Sequence, residues 1–230
     1  MRLFMKPRRI IATPVRNADA SEFEVDNWAI SEFVLKFLVP VIGDRPFPLT
    51  ELFLMTAAVC RFNPSHIFEW GTHVGKSARI FYEISNHYRI SSEIHSIDLP
   101  DNIDHVEHPH DKRGLYVRGL PVHLHQGDGL KLSLDMCRDR KPSRPFFFID
   151  GDHSYKSVKT ELDGIIGEVI EPVILVHDTF YQSKESGYNV GPHMAIKDIN
   201  TKRNGLEVVE MNTGLPGMTL LFRRKSLRAK

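Results

Sequence analysis

Five acidic residues recur along this chain in one kind of place, each at or just behind the end of a short apolar run: Glu69, Asp98, Asp128, Asp150 and Asp178. A lone carboxylate in such a place usually caps the helix that follows. Five in succession point further, because an open α/β sheet binds its ligands at the carboxyl ends of its strands. The first stands in Glu69-Trp70-Gly71-Thr72-His73-Val74-Gly75-Lys76-Ser77. Gly71 permits a tight turn there, and Gly75 lets a ligand approach the next helix closely. His73 breaks the G-x-G-x-x-G dinucleotide fingerprint, and Trp70 stands where a phosphate loop ending in Gly75-Lys76-Ser77 would need glycine. A pyrophosphate is therefore disfavoured, and the segment taken alone also reads as a plain strand-to-helix turn. Asp98 can accept from both hydroxyls of a ribose. Gly127-Asp128-Gly129 can border an adenine, although the same tripeptide is good turn chemistry. Together these residues describe a nucleoside pocket without a pyrophosphate cradle.

The last two acids add a cation to that picture. Asp150 and Asp178 follow the fourth and fifth apolar runs, which would be neighbouring strands, so their side chains converge at one rim. Adjacent carboxylates repel, and a divalent cation relieves the repulsion. Such a cation can also chelate a substrate hydroxyl and lower its pKa. Without one, the same residues would cap helices or line a metal-free site. His153 is a candidate general base, since an ordinary imidazole pKa of ~6.5 suits proton removal near neutrality. Asp152-His153-Ser154 also reads as the N-cap region of the next helix. His105, His108, His110, His123 and His125 crowd the stretch from 101 to 125 but lack the spacing of a helical ligand pair. That stretch reads as a mobile, mostly solvated loop.

The elements that must position these groups alternate along the chain. Short apolar strands are expected at 67–70, 93–97, 122–125, 145–149 and 173–176, with helices at 77–88 and 155–169. Wholly apolar strands alternating with helices imply a parallel sheet buried on both faces. After Asp178 a helix is expected over 194–202. Strands at 206–211 and 218–223 follow, joined by Gly214-Leu215-Pro216-Gly217 and therefore antiparallel. Ahead of the sheet, 21–40 carries a ragged helical stripe, and 49–61 reads as a helix with Thr50 as its N-cap. The expected organisation is an N-terminal extension with helices over 1–64, a catalytic core over 65–223 and a basic tail over 224–230. The fold class is α/β, a Rossmann-like doubly wound sheet, mostly parallel, ending in an antiparallel hairpin.

Composition narrows the function classes. Thirty Lys and Arg nearly cancel 29 Asp and Glu, so no net field draws the chain to nucleic acid or a membrane surface. The basic residues at either end read as solvated tails. Two cysteines without a CxxC spacing argue against a disulfide framework or a cysteine zinc site, and they fit a reducing cytoplasm. No run reaches the ~18 apolar residues of a membrane span, and no signal peptide is evident. A cytoplasmic protein with a small-molecule substrate is expected, with neither nucleic acid nor membrane as partner, and with self-association into a homo-oligomer left open.

With these residues in view, the chain resembles the class I S-adenosylmethionine (SAM) dependent methyltransferases over roughly 65–223. Their acidic residue and glycines after the first strand are matched by Glu69, Gly71 and Gly75, and their second-strand acid by Asp98. His73 departs from the commoner glycine. Phe147-Phe148-Ile149-Asp150-Gly151-Asp152-His153-Ser154-Tyr155 and Val176-His177-Asp178-Thr179 are similar to the FIDGDHSY and HDT signature of a family that includes macrolide-sugar O-methyltransferases and cephalosporin-biosynthesis enzymes. The resemblance implies SAM as cofactor, held around Glu69, Gly71, Thr72, Gly75, Ser77, Asp98 and Asp128. It also implies a divalent metal, Mg²⁺ first, on Asp150, His177 and Asp178; beside it, the residues themselves put Asp150 and His153 forward as the catalytic pair. His177 replaces an oxygen ligand of the related catechol and caffeoyl-CoA enzymes. The implied reaction is O-methylation of a small hydroxylated metabolite, a sugar or a phenolic. The alternatives are a metal-dependent hydrolase on a similar sheet, which would leave Glu69, Gly75 and Asp98 without a task, and a non-catalytic SAM-binding module.

Overall fold

A computed structural model describes residues 14–15, 22–103, 110–187 and 189–223. His105, His108 and the basic residues at both ends lie outside that set. Seven strands form one sheet: β1 (His66–Trp70), β2 (Glu93–Asp98), β3 (Val122–Gln126), β4 (Phe146–Ile149), β5 (Val173–His177), β6 (Leu206–Met211) and β7 (Met218–Arg223). Their order is β3-β2-β1-β4-β5-β7-β6. The first five strands run parallel, and β7 is antiparallel to both β5 and β6. The hairpin of β6 and β7 thus turns back so that its second strand lies against β5.

Burial follows strand position. Phe146 to Ile149 of β4 are all buried, because helices cover both faces there. On the outer strand β6 burial alternates residue by residue, as expected where one face meets water. One face is covered by α3 (Leu49–Phe62) and α4 (Lys76–Tyr88), whose Leu52, Met55, Ile80 and Phe81 pack with Ile67, Phe146, Phe148 and Leu220. The other is covered by α5 (Gly129–Arg140), α6 (Tyr155–Glu168) and α7 (Val190–Lys197), through Leu134, Leu162, Ile165 and Ala195. The boundary expected at residue 64 therefore does not separate two cores. Helix α3 shares one apolar cluster with the sheet, with α1 and with α4.

Several local expectations change. The stripe over 21–40 becomes three helical segments, α1 (Asn27–Phe33), a wider π-helix (Val34–Leu38) and α2 (Val39–Ile42), with Asp26 capping α1 through the Trp28 and Ala29 N–H groups. Trp28, counted in the apolar stripe, is 88% exposed. Thr50 does not cap α3; Pro48 precedes the helix, and its carbonyl accepts from Glu51 and Leu52. Helix α5 went unread because Leu130, Leu132, Leu134 and Met136 alternate with period two, whereas the Asp128 side chain starts a helix there. The helix expected over 194–202 is split into α7 and a short α8 (Thr201–Asn204), with Asn200 capping the second piece. Among the described residues, no helix is long and apolar enough to cross a membrane.

Candidate active site

Parallel pairing puts Ile149 of β4 opposite Val176 of β5, so Asp150 and His177 emerge side by side at the carboxyl rim. Asp178 follows with a left-handed φ of 56°, a conformation aspartate tolerates better than most residues. This turn swings its carboxylate back toward its neighbours. His177 Nδ1 lies 2.8 Å from Asp150 Oδ1 and 3.2 Å from Asp178 Oδ2. His153, at the entry to α6, brings Nε2 to 3.3 Å from Asp178 Oδ2 and 3.7 Å from Asp150 Oδ1. Gly191 lets α7 press against this entry: a Cβ there would lie 2.1 Å from the His153 carbonyl oxygen.

A fifth member comes from α3. The Glu51 side chain extends to the same face of the sheet as His177, so that Oε2 lies 3.0 Å from His177 Nε2, while Oε1 accepts the Gly217 N–H at 2.8 Å. Glu51 is 1% exposed. Three carboxylates therefore surround two imidazoles. Burial disfavours the His177 imidazolium, yet Asp150, Asp178 and Glu51 overcome it and raise the pKa well above the ordinary value. Burial alone would raise the Asp150 carboxyl, but His177 and His153 hold it at about 2. His153 is likewise raised: desolvation opposes its charge, and Asp150 and Asp178 favour it. Asp150 Oδ, Asp178 Oδ and a His177 nitrogen lie within 4.8 Å of one another. This oxygen-rich set fits a divalent cation, and Glu51 is placed to hold the other His177 nitrogen, as metal-bound histidines require.

The loop after β1 adjoins this rim. Glu69 is fully buried and its Oε1 accepts from Ser96 Oγ at 2.5 Å; Ser96 in turn meets Thr72 Oγ1 at 2.6 Å. Ser96 and the nearby Ser77 favour the charged form, but burial dominates and pushes this carboxyl up to about 8. Glu69, Thr72 and Ser77 thus hold the loop from beneath, with side chains enclosed. Gly71 (φ 89°) faces the Asp150 carbonyl, 2.4 Å from where a Cβ would sit. The space that the Gly75 Cβ would take faces Gly114 and Val117 of the same chain, not an open ligand site. His73 sits at φ 44°, in the left-handed region where a glycine is commoner.

Asp98, at the end of β2, accepts the His73 and Leu99 N–H groups at 3.1 and 2.8 Å and pairs with Arg113 at 3.1 Å. Arg113 also bonds to Asp101 and the Leu99 carbonyl. Gly114 and Tyr116 donate to the His73 and Val74 carbonyls, both at 2.9 Å. The described part of the His-rich stretch is therefore pinned rather than loose in solvent: the Gly114 and Tyr116 N–H groups tie it to the loop after β1, and the Arg113 guanidinium ties it to the end of β2. Asp128 is exposed and accepts the Lys131 N–H at 2.9 Å as the N-cap of α5. The structure brings Asp150, His153, His177 and Asp178 into one cluster, with the Asp98 loop beside it; Asp128 caps α5 next to that loop, since the preceding Gly127 N–H donates to the Asp98 carbonyl at 2.9 Å.

Glu51 and Arg113 were missed. An acid in the first turn of a helix ordinarily complements the helix dipole, so nothing marked Glu51. Arg113 sits in no recognisable motif.

No protein-family model matches the chain, nor does any curated protein. Among solved structures, an O-methyltransferase from Bacillus cereus in complex with S-adenosylhomocysteine is 15% identical, with a TM-score of 0.55 over 85% of this chain and 91% of that one. A TDP-rhamnose 3′-O-methyltransferase of calicheamicin biosynthesis is 14% identical, with a TM-score of 0.54 over 84% of this chain and 86% of that one. An O-methyltransferase of tomaymycin synthesis from Streptomyces achromogenes, in complex with SAM, is also 14% identical, with a TM-score of 0.51 over 84% and 87%. These likenesses establish the fold: the chain has the same Rossmann-like sheet architecture as these O-methyltransferases.

Proposed function

We propose that this chain is a SAM-dependent O-methyltransferase acting on a small hydroxylated metabolite, a sugar or a phenolic, with help from a divalent metal such as Mg²⁺. The reading is carried by one juxtaposition: the cluster of Asp150, His153, His177 and Asp178 stands at the strand ends beside the Asp98 loop, on this sheet. The loop from Gly71 to Gly75 and Asp98 would hold the nucleoside, supported from beneath by Glu69, Thr72 and Ser77. Arg113 would share Asp98 with the ribose or yield it. SAM, when bound, supplies a sulfonium methyl group, transferred to oxygen as the carbon–sulfur bond breaks and its electron pair returns to sulfur. Asp150, His177 and Asp178 would hold the metal, whose chemistry is to lower the pKa of a substrate hydroxyl.

His153 would take the hydroxyl proton at Nε2. In the cluster as it stands, Asp150 and Asp178 favour its protonated form. With a cation held on those carboxylates, their pull on His153 would weaken and Nε2 could accept a proton. Glu51 positions His177, and the enclosing α3 excludes water from that side. Calorimetry with SAM tests the reading. Binding supports a methyltransferase, and no binding favours a hydrolase built on the same acids. SAM binding with no metal binding, and with function indifferent to Asp150→Ala, would favour a non-catalytic SAM-binding module.

A further inference from the structure

At the other end of the strands, three residues outside the catalytic cluster converge. His66 opens β1, Glu93 opens β2 directly opposite it, and His95 lies two residues on, on the same face as Glu93. His95 is 2% exposed and His66 is 8% exposed. The Nε2 atoms of both are buried without a hydrogen-bond partner, a costly state for an imidazole nitrogen. Both approach one atom, Glu93 Oε2, at 3.8 and 3.6 Å. These gaps are too long for hydrogen bonds. They are close to the ~3.3 Å edge between ligands of a tetrahedral ion with bonds of ~2.0 Å.

We infer that His66, Glu93 and His95 form a second divalent-metal site, one suited to Zn²⁺. The nitrogen not offered to the metal is held in each ring: His66 Nδ1 by Ser65 Oγ, and His95 Nδ1 by His125 Nε2, both at 3.1 Å. Outer partners of this kind orient metal-binding histidines. Two imidazoles and one carboxylate suit zinc and its neighbours in the first transition row better than Mg²⁺. The Glu93 side chain is 50% exposed, so a fourth position opens to water. The two rings lie within 13° of parallel, and binding turns one about χ2, a torsion with broad wells. Arg140 is the competitor: its Nη1 lies 2.7 Å from Glu93 Oε2, but the side chain is exposed and can swing away. A site here ties β1 to β2 and touches no substrate.

The test uses the full chain carrying Asp150→Asn, which weakens the other metal-binding cluster, with Zn²⁺ calorimetry and Co²⁺ visible absorption as readouts. One equivalent of Zn²⁺ is expected, raising Tm by about 5–10 °C at a hundredfold excess over Kd. Glu93→Gln and His95→Gln should each weaken binding about 100-fold or more, since loss of even an outer partner costs 10–100-fold. Arg140→Ala should tighten it. Glu93 is half exposed, so its variant keeps the test valid where the buried His95→Gln fails to fold. No Zn²⁺ binding, binding indifferent to Glu93→Gln, or no tightening in Arg140→Ala would overturn this ligand set.

Discussion

Glu51→Gln probes how the catalytic cluster is held. Glutamine keeps the side-chain volume and can still accept the Gly217 N–H, 2.8 Å away in the wild type. The atom facing His177 Nε2 at 3.0 Å then becomes an amide NH₂, which only donates. His177 loses one charge-assisted hydrogen bond, worth ~1.5–3 kcal/mol. Little solvent screens the pair, with Glu51 1% and His177 5% exposed. The sign with pH follows from the raised His177 pKa. That stabilisation is fully present below the unfolded value of ~6.5 and is lost as pH rises through the higher folded value. Urea or thermal unfolding at pH 6 should therefore show Glu51→Gln destabilised by about 2–3 kcal/mol, or about 4–12 °C in Tm for a chain of this size. The deficit should shrink once pH passes the folded pKa. A deficit of equal size at every pH would mean that Glu51 matters only for packing, and no deficit at pH 6 would refute the buried pair altogether.

Metal affinity provides a second check on His177. Ligation through Nδ1 requires its proton to leave, so Mg²⁺ or Mn²⁺ should bind more tightly as pH rises and should release protons into the buffer on binding. Equal affinity from pH 6 to 9 would remove His177 from the ligand set. Gly71→Ala should cost about 2–4 kcal/mol, because a Cβ at φ 89° would lie 2.4 Å from the Asp150 carbonyl oxygen; an unfolding midpoint like the wild type's would contradict that packing. Arg113→Ala should release the 110–117 segment from Asp98, seen as faster amide exchange at Gly114 and Tyr116, whose N–H groups bond to the loop after β1. Asp98→Ala should weaken SAM binding by about 10–100-fold by calorimetry, the loss of hydrogen bonds to a charged acceptor; wild-type affinity would take Asp98 out of the pocket.

Much of the sheet was legible because its signal is local. Runs such as Phe146-Phe147-Phe148-Ile149 are apolar without alternation, and a strand buried on both faces demands that. The Gly/Pro turn before Met218 required the hairpin to be antiparallel, whichever neighbour it chose. The convergence of Asp150 and His177 was likewise implicit in two consecutive strands ending on polar residues. Helix α5 was obscured because its leucines keep a strand's spacing, and the Asp128 cap outweighed that pattern.

What only the tertiary structure decided are the contacts between residues far apart in the chain. Glu51 lies 126 positions before His177, and nothing in Leu49-Thr50-Glu51-Leu52 indicates that the acid faces a buried imidazole. Arg113 meets Asp98, and His66 meets Glu93 and His95, for the same reason: packing brings them together. Sequence periodicity records which face of an element is apolar, and thereby determined this protein's layers and the rim where its chemistry gathers. Which polar group on one element meets which on another depends on how α3 lies on the sheet and on strand register, and that pairing sets the charge of His177.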